Sequence, residues 1–265
     1  MNKEQLTINS DLSGTIENML SNSTAPFEKD CNSSLCFYDF DIPAQSASKA
    51  KVTLGSSETP LIFDDVISAV FITQQGSLIT DTNIILGGVP DNSQHAEAAT
   101  YFQQILTKLK AANWQRYIFP NEARISGAEA RKFDRADEIL GIPVGTGPWK
   151  DPAVSLNQAD WLAMPTINSW YLYKDGNYLQ LRVQRENSPH AAQERGTYLF
   201  SLNFQTEAEF YKSFVESEER KNWTTLLPAE LKRMAQERAQ TEARLKKMGI
   251  AIDETYQDPP IKALE

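Results

Sequence analysis

Cys31 and Cys36 enclose only Asn32-Ser33-Ser34-Leu35. Four intervening residues can close a tight loop that brings two Cβ atoms to bonding distance. The pair reads as a short disulfide of an oxidising compartment, with two free thiols, one packed beside Phe37, as the alternative. The spacing is not the Cys-x-x-Cys of a redox catalyst. His95, at the start of a predicted helix, and His190, in a loop beside Pro189, are the whole stock of imidazole. So few soft ligands cannot assemble a zinc finger or an iron–sulfur cluster within one chain. Either histidine could in principle serve a serine or cysteine nucleophile brought near by folding, but no Gly-x-Ser-x-Gly elbow occurs. Asp64-Asp65 and Asp134/Asp137/Glu138 are the densest carboxylate clusters beside predicted elements. A chain with 35 acidic residues produces such clusters by number alone, so neither earns an acid–base role. No EF-hand pattern of alternating oxygen donors is present. Gly87-Gly88 and Gly141-x-x-x-Gly145-x-Gly147 lack both the Walker lysine and a dinucleotide fingerprint, so they read as turns. Catalytic, metal and cofactor residues are therefore all left unassigned.

The elements that must position these residues belong to a chain of 265 residues with a formal net charge of −9. That balance argues against a protein built to neutralise a phosphate backbone. No run approaches 18 apolar residues, so no membrane-spanning helix is expected. Met1-Asn2-Lys3-Glu4 opens a polar segment without the apolar core of a signal peptide.

Residues 1–59 read as a polar N-terminal extension, with one short helix around Ile16, Met19 and Leu20 and a short strand at 36–40. A first sheet-and-helix unit is expected over 60–140. Val66 to Ile72 and Leu78 to Leu86 form a hairpin, ended by Gly87-Gly88-Val89-Pro90. Asp91, Asn92 or Ser93 then caps a helix over 94–112, whose Ala98, Phe102, Ile105, Leu106 and Leu109 make a 3.6-residue stripe. A shorter helix over 126–139 starts from the capping-box spacing of Ser126 and Glu129.

Residues 141–164 read as a Gly/Pro connector pinned by Trp149 and Trp161, which either pack or offer stacking faces to a ligand. A second unit is expected over 165–250. Its hairpin joins Trp170–Tyr173 to an alternating strand at 178–185 through Lys174-Asp175-Gly176-Asn177. A third strand at 197–204 and a helix at 206–219 follow. A last helix over 228–248 is opened by Pro228, with eight basic and three acidic residues across 220–248, and a tail covers 251–265. The strands cluster in hairpins, so the fold class is α+β, with antiparallel hairpin sheets packed against helices and a possible pair of similar units.

Two stretches carry a family resemblance. Trp114-Gln115-Arg116-Tyr117-Ile118-Phe119-Pro120 with Arg124-Ile125-Ser126-Gly127-Ala128-Glu129-Ala130 resembles the middle of periplasmic immunity proteins and lipoproteins associated with type VI secretion effectors. Trp170 to Tyr178 and the strand after it are similar to their second half. The resemblance covers about half the chain. It implies a non-enzymatic inhibitor that binds a cell-envelope toxin, and it carries no invariant contact set.

An acidic inhibitor could be steered to a basic toxin and cover its active cleft. The expected partner is thus a protein, not nucleic acid, and a lipid anchor outside these residues is compatible with the family. The expected location is the periplasm or the periplasmic face of a bacterial membrane, the cytoplasm being the alternative. Candidate contact residues are Asp64, Asp65, Trp149, Trp161 and Tyr173. Two further readings stand beside inhibition: a cell-envelope hydrolase or amidase, and a general periplasmic binding or scaffold lipoprotein.

Overall fold

The computed structural model describes residues 5–55, 59–132, 138–139, 142–143 and 148–265. In chain order its elements are β1 (Thr7–Ser10), α1 (Ile16–Ser21), β2 (Glu28–Asn32), β3 (Leu35–Asp41), β4 (Ala50–Leu54), β5 (Leu61–Gln74), β6 (Ile79–Leu86), β7 (Ser93–Gln94) and α2 (His95–Ala111). There follow β8 (Gln115–Arg116), α3 (Gly127–Ala130), β9 (Glu138–Ile139), β10 (Ile142–Pro143), α4 (Gln158–Ala163), β11 (Ile167–Lys174), β12 (Asn177–Asn187), β13 (Arg195–Thr206), α5 (Glu207–Lys212) and α6 (Trp223–Lys247). The fold is α+β, with a mixed sheet packed against helices. The chain divides into two compact units, residues 1–115 with 165–206 and residues 116–164 with 207–265.

The first unit holds the sheet, whose path runs β1-β4-β5-β6-β13-β12-β11. β1 and β4 pair in parallel, and the remaining pairs along this path are antiparallel. Both predicted hairpins form, β5 with β6 and β11 with β12. They do not found separate sheet-and-helix units, because β13 pairs with both β6 and β12 and joins them into one surface. The turn between β11 and β12 is Asp175-Gly176 with φ of 50° and 82°, the left-handed pair that matches the twist of a two-residue hairpin.

Register turns alternating sequence into buried rows that are apolar except at Thr82. Ala69, Ile84, Leu202, Leu181 and Trp170 are successive cross-strand partners, and so are Phe71, Thr82, Phe204, Leu179 and Leu172. All ten are buried. The apolar stripe of α2 covers this face, Phe102 meeting the Trp170 indole at 4.4 Å and Tyr101 standing edge-on to Phe200 at 5.0 Å. The helix cap lies one residue later than expected, at Gln94, whose backbone N–H donates to Glu97. Ser93 pairs with β13 instead.

Residues 5–55, most of the expected N-terminal extension, are part of the sheet unit. They supply β1 to β4 and bury Ile8, Met19, Phe40, Val52 and Leu54. Their polar composition belongs to the outward half of short alternating strands, as in the burial of every second residue of β4.

In the second unit, α6 begins at Trp223, so Pro228 lies inside it rather than at its start. Burial of Trp223 and Leu227 supplies apolar packing upstream of the proline. Lys212 ends α5, short of the expected 219, and Ala130 ends α3. Phe133 to Asp137 of that expected helix, with the Asp134 and Asp137 carboxylates, lie outside the described residues, as do Gly141, Gly145 and Gly147.

Candidate binding surface

In β13 the side chains of Tyr198, Phe200, Leu202 and Phe204 enter the core, so Leu199, Ser201, Asn203 and Gln205 face the opposite side of the sheet. The same alternation sends Gln180, Arg182 and Gln184 of β12 to that side, with Ile167, Ser169 and Tyr171 of β11. Much of this face is polar and internally bonded. Gln180 donates to the Ser169 and Tyr171 hydroxyls at 3.0 and 2.9 Å, and Gln205 donates to Asp81 at 3.0 Å. The Nε of Arg182 is buried without a hydrogen-bond partner.

One row departs from this polar pattern. Ile167, Gln184 and Leu199 are consecutive cross-strand partners, and Ile167 and Leu199 stay 50% and 39% exposed. They form the floor of a groove of about 820 Å³, which Ile67 and the segments 44–49 and 87–91 also line. Lys49, Asp91, Arg185 and Glu186 bring charges of both signs to its lining. The Lys49 ammonium donates to the Ala44 carbonyl, folding its segment back on itself.

The Gly87-Gly88 pair serves close approach. A Cβ at Gly87 would meet Ile67 at 2.6 Å, and one at Gly88 would meet the Tyr101 ring at 2.0 Å. No phosphate cradle is needed to account for them.

Asp64 is exposed and lies 3.9 Å from Lys108. Asp65 instead accepts a hydrogen bond from the Tyr101 hydroxyl. Burial, then the Asp65 charge, pushes that phenol above its ordinary range, so Tyr101 stays protonated. Tyr173 is half-buried, its ring 5.3 Å from that of Tyr178. Trp149 and Trp161, both of the second unit, are 6% and 1% exposed, so neither indole presents a face to a partner.

Cys31 and Cys36 are joined by a disulfide at a directly opposed pair of the β2–β3 hairpin, with Cα atoms 4.1 Å apart. His95 is fully buried. Its Nε2 is 3.1 Å from the Ala192 carbonyl, which can only accept, so Nε2 donates there, and Nδ1 is hydrogen-bonded to the Tyr198 hydroxyl. Both ring nitrogens thus hold the 192–198 segment in place. His190 is exposed in a loop.

Among the described residues, no group of three or more His, Cys, Asp or Glu is arranged to hold a metal ion, and no helix is long and apolar enough to cross a membrane.

Ile167 and Leu199 are not marked as a site by any motif in the sequence. The available signal was Leu199 itself, an aliphatic residue in the polar half of an alternating strand. No family model matches the chain, and no curated protein or solved structure is significantly similar to it.

Proposed function

We propose that this protein is a non-enzymatic binding protein that uses the groove over Ile167, Gln184 and Leu199 to dock a protein partner. The partner is a secreted antibacterial effector, which the complex neutralises by occluding its active site. The observation that carries the binding reading is the exposed Ile167–Leu199 floor within a charged rim, since an apolar centre with a polar border is the anatomy of a specific protein interface. The use of both His95 ring nitrogens in holding the fold weighs against the hydrolase alternative.

Support for an effector as the partner comes from the resemblance in residues 114–130 and 170–178, and from the net charge of −9, which would steer a basic protein. A periplasmic site of action is part of the proposal, and the Cys31–Cys36 disulfide suits it. The test is co-purification with the protein encoded by the adjacent gene, using the wild type and Leu199→Asp. A stoichiometric complex lost in the variant is expected. A complex indifferent to Leu199 and Ile167 removes the groove from the interface.

A further inference from the structure

The sheet also has an unpaired edge with unusual chemistry. All five residues of β2 are exposed, and among the described residues β3 is its only strand partner. The backbone groups that face outward follow from register. Opposed residues of an antiparallel pair alternate between hydrogen-bonded partners, about 5.5 Å apart at Cα, and non-bonded partners, about 4.5 Å apart. The 4.1 Å separation of Cys31 and Cys36 marks a non-bonded pair. Asp30 with Phe37, and Glu28 with Asp39, then exchange the ladder bonds. Lys29 and Cys31 direct their N–H and C=O groups away from β3, toward open solvent.

The charge on this hairpin is one-sided. Glu28 lies directly opposite Asp39, and Asp30 and Asp41 share their face by alternation. Like charges in opposed positions destabilise a sheet. Burial, then the charges of Asp41, Asp30 and Glu28, raises the Asp39 carboxyl. The Lys29 ammonium is instead 5.3 Å from the centre of the Tyr38 ring, on the other face. A hairpin that repels itself is nevertheless fixed in register by a covalent cross-strand link.

We propose that the outer edge of β2 is a strand-addition site for an extended lysine- or arginine-rich segment of a protein partner. Outward N–H and C=O groups of Lys29 and Cys31 provide the ladder, and Glu28, Asp30, Asp39 and Asp41 select cationic side chains. The same carboxylates repel the identical edge of a second copy, which distinguishes this edge from a self-association surface. The disulfide presents the edge already formed, reducing the ordering cost of binding. This extends the partner-binding reading but uses a surface separate from the groove.

The test adds an alternating lysine–valine heptapeptide to the oxidised full chain and follows backbone amide signals and hydrogen exchange. The expected result is protection centred on the amides of Lys29 and Cys31, with no binding of the glutamate–valine counterpart. Lys29→Ala removes a positive charge and should bind the peptide at least as well. Lys29→Pro removes the same charge and the outward N–H, with no ladder bond to β3 lost, and should bind about tenfold more weakly than Lys29→Ala. Absence of peptide binding, or equal binding by the alanine and proline variants, overturns strand addition. Should Lys29→Pro fail to fold, protection in the wild-type chain decides: protection away from residues 29 and 31 rejects the proposal. Leu199→Asp should leave this binding unchanged, so failure here is distinguishable from failure of the groove.

Discussion

The two units keep their interiors together by different means. In the first, adjacent strands align apolar rows such as Ala69-Ile84-Leu202-Leu181-Trp170, and α2 removes them from water. In the second, charge lies among the packed groups. Buried Arg238 donates to the carbonyls of Glu122 and Phe119 and to both carboxylate oxygens of Asp258. Arg124 makes a bidentate pair with Glu242 at 2.8 Å, beside a small cluster of Ala123, Ile125, Ala130, Leu245 and Ile250. Burial gives free energy to an apolar row directly, whereas a buried guanidinium is tolerated only with its partners in place.

The largest effects should therefore come from unlike substitutions in the two units. Phe200→Ala removes a fully buried ring from the sheet core and should cost about 3–5 kcal/mol. Arg238→Ala strips the Glu122 and Phe119 carbonyls and the half-exposed Asp258 carboxylate of their donor and should cost about 1–3 kcal/mol. Chemical denaturation gives the sizes, and amide exchange shows which unit opens. If Arg238→Ala costs no more than an exposed substitution, the contrast between the units fails.

Acid should act with opposite sign at two carboxyls, Glu242 of the second unit and Asp39 of the first. Burial pushes the Glu242 carboxyl up, but hydrogen bonds from the Arg124 side chain and backbone, with its charge, hold it below the ordinary 4.5. A depressed value contributes stability above 4.5 that is lost as pH falls through it. Asp39 has the opposite sign. Its carboxyl is raised above 3.8 by burial and by Asp41, Asp30 and Glu28, so the folded hairpin takes up a proton more readily than the unfolded chain. Lowering the pH from 5 toward 3 should thus reduce amide protection at Arg124 and around Glu242 while increasing it across β2 and β3. Parallel losses at both places would contradict this assignment.

Removing the disulfide by Cys31→Ser with Cys36→Ser should cost about 2 kcal/mol or less, because the closed loop is short, and should act on β2 and β3 rather than on the apolar rows. Amide exchange across the sheet measures this. Global opening would mean that the hairpin does more than line an edge.

What was legible in the sequence follows the same division. The period-2 alternation of 178–185, the Asp175-Gly176 turn and the α2 stripe each state their structure locally. Two hairpins looked like two units because nothing local says that β13 will pair with both β6 and β12. Residues 1–59 looked unpacked because short strands with one wet face are polar on average. Arg238 and Glu242 interrupt the apolar pattern of α6, and their partners lie at Glu122, Asp258 and Arg124, separations that no helical periodicity reports. The groove was hidden for a related reason. Ile167, Gln184 and Leu199 become a row only when the register of three strands is fixed.

The smallest expected effect on stability is also the most informative about function. Leu199→Asp places a charge at an exposed position and should change stability by about 0.5 kcal/mol or less. The decisive measurement is survival of cells that export the adjacent-gene effector to the periplasm together with either the wild-type protein or Leu199→Asp at equal abundance. Inhibition through the groove predicts rescue by the wild type, in a roughly stoichiometric complex, and death with the variant. Full rescue by Leu199→Asp, or no rescue by a correctly exported wild type, would contradict it.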